Sequence, residues 1–256
     1  MRITCIRVFK ADLPMKEGSY SWSTQSHAAF DTTVVLVETN QGITGVGECC
    51  PLGPTYLPAY AQGVRAGISQ LAPNLIGEDP IQIECINDTM DTLLKGHPYV
   101  KSAIDMACWD ILGKASGLPL YTLLGGLRQE KVTLYKVVTR ADPGAMADRI
   151  PEYRAQGYRQ FQVKVGEDPA TDIIRIHRVA QEMEAGEVKV REAFARDPFG
   201  CRGALAAKRH DRDPFNEGAP YSSQVKILSA FWLHIDTCSQ RLYNGYFPWS
   251  PGMMIK

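Results

Sequence analysis

Within Phe161-Gln-Val-Lys-Val-Gly166, apolar Phe161, Val163 and Val165 alternate with Gln162 and Lys164. In an extended chain this alternation sends the apolar residues to one face and the polar pair to the other. Covering helices claim an apolar face, so Lys164 is expected to point inward near the C-terminal end of its strand. In a βα barrel that rim is where chemistry is done. A lysine withdrawn from water holds its proton less well and can serve as a general base. Taken alone, a lysine at a strand end is more often a snorkelling surface residue. Its role therefore depends on the elements that place the strand.

Those elements have a clear rhythm. Val132–Val138 reads as a strand, Asp142-Pro143 opens a helix by its N-cap and first-turn proline, and Gly157 closes it. Tyr158–Val165 is the next strand, Asp168-Pro169 opens a helix running to about Glu184, and Val188–Val190 begins a third strand. Strand starts recur every ~28 residues, the spacing of βα units in a parallel sheet or barrel.

The chain before this rhythm is organised differently. Ile3–Phe9, Thr32–Glu38 and Ile43–Glu48 read as strands, the last two joined by a turn at Asn40-Gln-Gly42. Lys16–Gln25, polar and tipped with aromatics, has no period and reads as a long loop of the lid or binding kind. Helical spacing follows at Tyr60–Leu75, Ile81–Leu94 and Tyr99–Ala115, stopped by Gly117-Leu-Pro119, with a short helix at Pro119–Leu124. Strands followed by helices make residues 1–126 an α+β unit. Residues 127–194 carry the βα units, and residues 195–256 follow neither pattern. From Val188 onward there are ten Lys and Arg against six Asp and Glu, so this tail differs in charge from the rest.

Composition narrows the function classes. Hydrophobic residues at 45% and charged residues at 22% are those of a globular protein. Lys plus Arg and Asp plus Glu both total 28, so the basic excess usual in a nucleic-acid binder is missing. No apolar run reaches the roughly 20 residues that span a bilayer, and the N-terminus lacks a signal-peptide apolar core. A cytoplasmic protein with no membrane and no nucleic-acid partner is expected. Seven cysteines without a C-x-x-C pair argue against a disulfide framework and against structural zinc. Asp105 and Asp110 lie on one helical stretch, where polarity and packing explain them better than a catalytic pair. The five histidines are scattered.

Three segments together resemble the mandelate racemase/muconate lactonizing enzyme family of the enolase superfamily. Gly45-Val-Gly-Glu-Cys-Cys-Pro51 is similar to the Gly-x-Gly-Glu-x-x-Pro turn of its capping domain. Ser102–Lys114, continued by Gly117–Gly126, resembles its helical signature, with Val100 at a position usually held by alanine. Phe161–Gly166 resembles its Lys-x-Lys strand, with Gln162 in place of the first lysine and Lys164 left as the single base there. The resemblance spans residues 1–190. It implies an α+β N-terminal capping domain followed by a partial α/β, TIM-type barrel.

The resemblance also implies an activity: Mg²⁺-dependent abstraction of a proton α to a carboxylate, giving an ene-diolate. Racemase, epimerase, dehydratase and cycloisomerase all share that step, and similarity to members acting on amino-acid or proline derivatives favours an epimerase or dehydratase. Lys164 is implied as the base, and Tyr20, Trp22 and Tyr56 as residues lining the substrate pocket, where aromatics hold an apolar ring or a cationic nitrogen. The family's three acidic metal ligands end successive barrel strands. Here the first such position reads Glu192-Ala-Phe194, which leaves Glu192 as the candidate ligand, and no later segment matches.

A closed barrel needs roughly 250 residues, and about half the chain remains after the capping unit, so the barrel is not expected to close. Its open edges favour a homo-oligomer. The tail is expected to be truncated and translated out of its ancestral frame from near residue 190. A catalytically inactive binding or assembly module is therefore the alternative function.

Overall fold

The computed structural model describes residues 1–22, 25–193 and 253–255, with residues 188–193 and 253–255 described by their backbone. In chain order the elements are β1 (Ile3–Pro14), β2 (Tyr20–Trp22), β3 (Gln25–His27), β4 (Ala29–Thr39) and β5 (Thr44–Cys49). Helices α1 (Ala61–Leu75), α2 (Ile83–Leu93), α3 (Pro98–Ser116) and α4 (Leu120–Leu123) follow. Then come β6 (Lys136–Val138), α5 (Pro143–Ala155), β7 (Gln160–Val165), α6 (Pro169–Gln181), β8 (Val188–Ala193) and β9 (Met253–Ile255). Among the described residues, contacts divide them into two units, one holding residues 1–13, 30–128 and 253–255, the other residues 14–29 and 129–193.

The first unit is a sheet of order β5-β4-β1-β9 carrying α1, α2 and α3. The sequence-read hairpin is present: β4 pairs antiparallel with β5 from Thr33↔Cys49 to Glu38↔Thr44. Gly42, at φ +75°, turns the chain in a backbone region that favours glycine. Ile6, Val35 and Val37 of the sheet pack with Ile68 and Leu71 of α1, Met90 of α2 and Ile104 and Ile111 of α3, all buried. The helix stop is a left-handed Gly117 whose N–H returns to the carbonyls of Gly113 and Lys114. β9 adds antiparallel to β1 at Ile6↔Ile255.

The seam between β5 and α3 sets this unit's geometry. A Cβ on Gly45 would stand 2.1 Å from the Ala107 carbonyl oxygen, and one on Gly47 would stand 1.8 Å from that of Ala103. Strand and helix therefore meet backbone to backbone. Asp110 fixes the seam by accepting from the Val46 N–H at 2.8 Å, and Lys114 bridges Asp110 and the Thr44 carbonyl at 2.7 Å each. Asp105 accepts from Asn87 of α2. Both aspartates thus hold the scaffold, as the sequence reading expected.

The second unit contains a parallel sheet of order β6-β7-β8. Its apolar face is Val138, Phe161, Val163 and Val165, packed with Met146, Ile150 and Tyr153 of α5 and Val179 of α6. Both helix starts are capped as expected: Asp142 accepts from the Gly144 and Ala145 N–H groups, and Asp168 from that of Thr171. The fold is an α+β capping domain followed by a partial barrel, whose sheet stays open at three strands among the described residues.

Two elements depart from the sequence reading. The strand expected from Val132 joins the ladder only at Lys136, because Val132, Leu134 and Tyr135 are exposed and have no apolar layer to alternate against. The expected long loop contains the β2–β3 hairpin, paired at Tyr20↔His27, Ser21↔Ser26 and Trp22↔Gln25. Its polar side chains hide the alternation that marks a strand. The expectation of an out-of-frame tail falls mainly on residues 194–252, outside the described residues.

Gly47→Ala is expected to destabilise the first unit by about 3 kcal/mol, since a rigid carbonyl occupies the space the methyl needs. Gly42→Ala, with open space around it, is expected to cost about 1 kcal/mol of backbone strain. Urea denaturation midpoints read both.

Candidate active site

β7 is buried on both faces. Phe161, Val163 and Val165 meet the helices, while Gln162 and Lys164 lie on the opposite face and are also buried, Lys164 at 5% exposure. The snorkelling alternative for Lys164 is therefore excluded. Ladder register places Val138 of β6 beside Val163, and the backbone of Glu192 in β8 beside Lys164.

The carboxyl end of the sheet is held by a charged lattice. Asp172 of α6 accepts from the Gly166 and Glu167 N–H groups at 2.7 and 3.2 Å, fixing the turn two residues past Lys164. Glu167 joins Arg140 and Arg175, while the Arg175 Nε donates to the Ala141 carbonyl at 2.8 Å. Hydrogen bonding from Arg175 and the charge of Arg140 hold the Glu167 carboxyl below its ordinary range. The turns after β6 and β7 are thereby tied to one helix.

The β2–β3 hairpin meets these same strand ends. Ser21 exchanges two hydrogen bonds with Thr139, its N–H donating to Oγ1 at 2.6 Å and its carbonyl accepting from that hydroxyl at 3.2 Å. The Arg140 N–H also donates to the Ser21 carbonyl at 3.0 Å. So docked, the hairpin sets the Tyr20 ring 5.9 Å from the Lys164 Nζ, within cation–π range. Tyr20 tilts against Trp22 at 5.0 Å, and Trp22 stacks on His27 at 4.8 Å and 14°. Three aromatic rings thus form a cluster beside a buried amine.

Just upstream, Glu17 accepts from Lys136 Nζ at 2.7 Å, Arg149 Nη1 at 2.9 Å and the Tyr153 hydroxyl at 2.5 Å. Burial alone would raise its pKa, but hydrogen bonds from Lys136 and Tyr153 and the nearby cations outweigh it and lower the value. Burial and the bond to Glu17 push the Tyr153 phenol up to about 12.

Of the residues the resemblance implied, Tyr20 lies beside Lys164, and Trp22 packs against Tyr20. Tyr56 is half-buried and belongs to the other unit, its N–H donating to the Gly53 carbonyl at 3.1 Å. Sequence reasoning missed His27, Thr139 and Glu17. The period-two pairs Tyr20/Trp22 and Gln25/His27 were the available signal for the hairpin and its aromatic face.

Residues 4–125 match the family model for the mandelate racemase / muconate lactonizing enzyme N-terminal domain. A cis-3-hydroxy-L-proline dehydratase of Roseibium aggregatum is 53% identical over 194 residues, which is 75% of this chain and 53% of that protein. Residues 4–125 belong to the mandelate racemase/muconate lactonizing enzyme family as its N-terminal domain. Another relative, an N-succinyl-L-Arg/Lys racemase of Bacillus cereus, is 34% identical over 71% of this chain and 49% of its own length. Among solved structures, an enolase-superfamily member from Roseovarius nubinhibens complexed with magnesium superposes with a TM-score of 0.67 at 44% identity, over 75% of this chain and 52% of that one. The chain thus spans about half the length of the relatives it matches.

These family relatives include racemases and dehydratases, and some were solved with magnesium. Among the described residues there is no group of three or more His, Cys, Asp or Glu placed to hold a metal ion. Glu192, in backbone register with Lys164, stands as one carboxylate position without a described set.

A lowered Glu17 pKa fixes the sign of one pH effect. The carboxylate's contribution to hairpin docking is fully present above its ordinary value of 4.5 and is lost as pH falls through the lower folded value. The Ser21 amide resonance is expected to hold its position from neutral pH to about 4.5 and to shift only below it. A shift complete above that point would contradict the sign.

Proposed function

We propose that this chain carries the proton-abstracting half of an enolase-superfamily site, with Lys164 as the base acting α to the carboxylate of a small amino-acid or proline derivative. The observation that carries the reading is a buried amine at the carboxyl end of a barrel strand, under an aromatic hairpin. In the reactive form the neutral Lys164 amine takes the α-proton. The C–H electron pair moves toward the carboxylate as an ene-diolate. Return of a proton to that carbon gives racemisation or epimerisation, and departure of a β-hydroxyl as water, its C–O bond breaking as a proton is delivered to it, gives dehydration. The dehydratase named above, acting on a hydroxyproline, supports dehydration of a proline derivative.

Tyr20 and Trp22 are proposed to line the substrate site, where their faces suit a cationic ring nitrogen. Tyr56 is proposed as a further lining residue by family position. Glu192 enters as a magnesium ligand to be tested, and a homo-oligomer as the assembly.

The alternative is a catalytically inactive binding or assembly module, and the chain's span of about half the length of its relatives supports it. Calorimetry separates the readings: a stoichiometric Mg²⁺ site weakened by Glu192→Gln supports the enzyme, and absence of heat supports the module.

Incubation with proline derivatives in ²H₂O, followed by mass spectrometry, tests the base. The chain is expected to incorporate deuterium at the α-carbon, and Lys164→Ala to lose at least ~10²-fold of that rate. Exchange that survives the substitution removes Lys164 from the role.

A further inference from the structure

We propose that Glu17 is a positioning residue: its carboxylate, gripped by Lys136, Arg149 and Tyr153, latches the β2–β3 hairpin so that Tyr20 closes over the Lys164 amine. The latch takes its significance from the base role proposed for Lys164, while its geometry stands independently.

The argument begins with the short tether. Glu17 precedes Tyr20 by three residues, so a fixed Glu17 confines Tyr20 to within about 10 Å. The Met15 N–H donates to the Ala28 carbonyl at 2.8 Å and closes the base of the segment. Ser21, bonded to Thr139 and Arg140, pins the far side. The segment is therefore held at its base, at Glu17 and at Ser21, and Tyr20 lies between the last two.

A lone exposed ion pair would be a weak anchor. Glu17 is different because three donors from two elements converge on it, Lys136 from β6 and both Arg149 and Tyr153 from α5. Each bond involves a charged partner, the stronger class of hydrogen bond. The donors are themselves ordered: Arg149 also donates to the Tyr153 hydroxyl, and the Lys136 ammonium lies 4.7 Å from the Tyr153 ring and 5.8 Å from that of Tyr158. Tyr153 is buried in the core under β7. The carboxylate thus couples the flap to the packed interior rather than to mobile surface chains. With the hairpin seated and Tyr20 5.9 Å from its Nζ, Lys164 is only 5% exposed, so the latch implies that opening the hairpin admits reagents to the amine.

The test uses the full chain and two readouts that need no turnover. Acetic anhydride labelling of Lys164, followed by mass spectrometry, measures access to the amine. Amide exchange of Tyr20–Trp22 and Gln25–His27 measures seating of the hairpin. Glu17→Gln is expected to accelerate both by about tenfold, with α5 and β7 exchanging as before. Tyr153→Phe is expected to give a smaller rise, and the double variant little more than Glu17→Gln alone, because both act on one contact. Glu17→Asp, which restores the charge on a shorter arm, is expected to recover part of the protection.

Unchanged Lys164 labelling in Glu17→Gln overturns the proposal. So does accelerated exchange throughout α5 and β7, which would make Glu17 a support of the whole unit. If the latch behaves as expected but Lys164→Ala keeps its deuterium exchange, the base assignment falls and the latch stands.

Discussion

One strand buried on both faces governs the second unit. β7 can satisfy the helices with only three alternate side chains, so the intervening lysine must enter the opposite layer or the strand must slip by one residue. A slip would bury Gln162 and Lys164 among Met146, Ile150 and Val179, at a desolvation cost no hydrophobic gain could offset. The apolar face therefore fixes the lysine by exclusion. The turns that follow, clamped by Asp172 and Arg175, hold the strand's end in place. Everything else in the second unit, from the N-cap aspartates to the hairpin's bonds with Thr139, refines a direction that parity has already chosen.

That part of the site was legible because a period of two in Phe161–Val165 is a strong local signal. The capped helices were legible for a similar reason: Asp-Pro pairs and Gly157 combine a side-chain acceptor, a fixed φ and a left-handed residue in short stretches of sequence. The hairpin was hidden because a strand of Tyr, Ser and Trp, followed by Gln, Ser and His, is stabilised by contacts to Thr139 that lie more than a hundred residues away. Glu17 was invisible for the same reason, its partners being supplied by β6 and α5. Local chemistry announced the scaffold and the inward placement of Lys164, while the closing elements depend on contacts that only folding brings together.

The two units are built on different constraints. The first rests on close approach, where glycine backbone replaces side-chain interdigitation between β5 and α3. The second rests on charge, with two carboxylates, Glu167 and Glu17, each shared among cations or hydroxyls from separate elements. Carboxylate-centred junctions are directional and can be reset by one proton or one competing ion. The β5–α3 seam has one such junction, at Asp110, but its spacing is set by carbonyls packed against glycine. Adjustable parts of the molecule thus concentrate beside the amine, and the capping helices remain a fixed frame.

The seam at Gly45 and Gly47 has a consequence for what the Gly-x-Gly-Glu signature can report. Neither glycine is there to admit a ligand, because the space each leaves is filled by a helix carbonyl. Selection on these positions would act through the thickness of a β–α interface. A search keyed to them would recover capping domains whatever chemistry their barrels perform, including chains whose barrels perform none. Such a signature is a gauge of architecture, and assigning a reaction to any chain that bears it requires reading the strand ends instead.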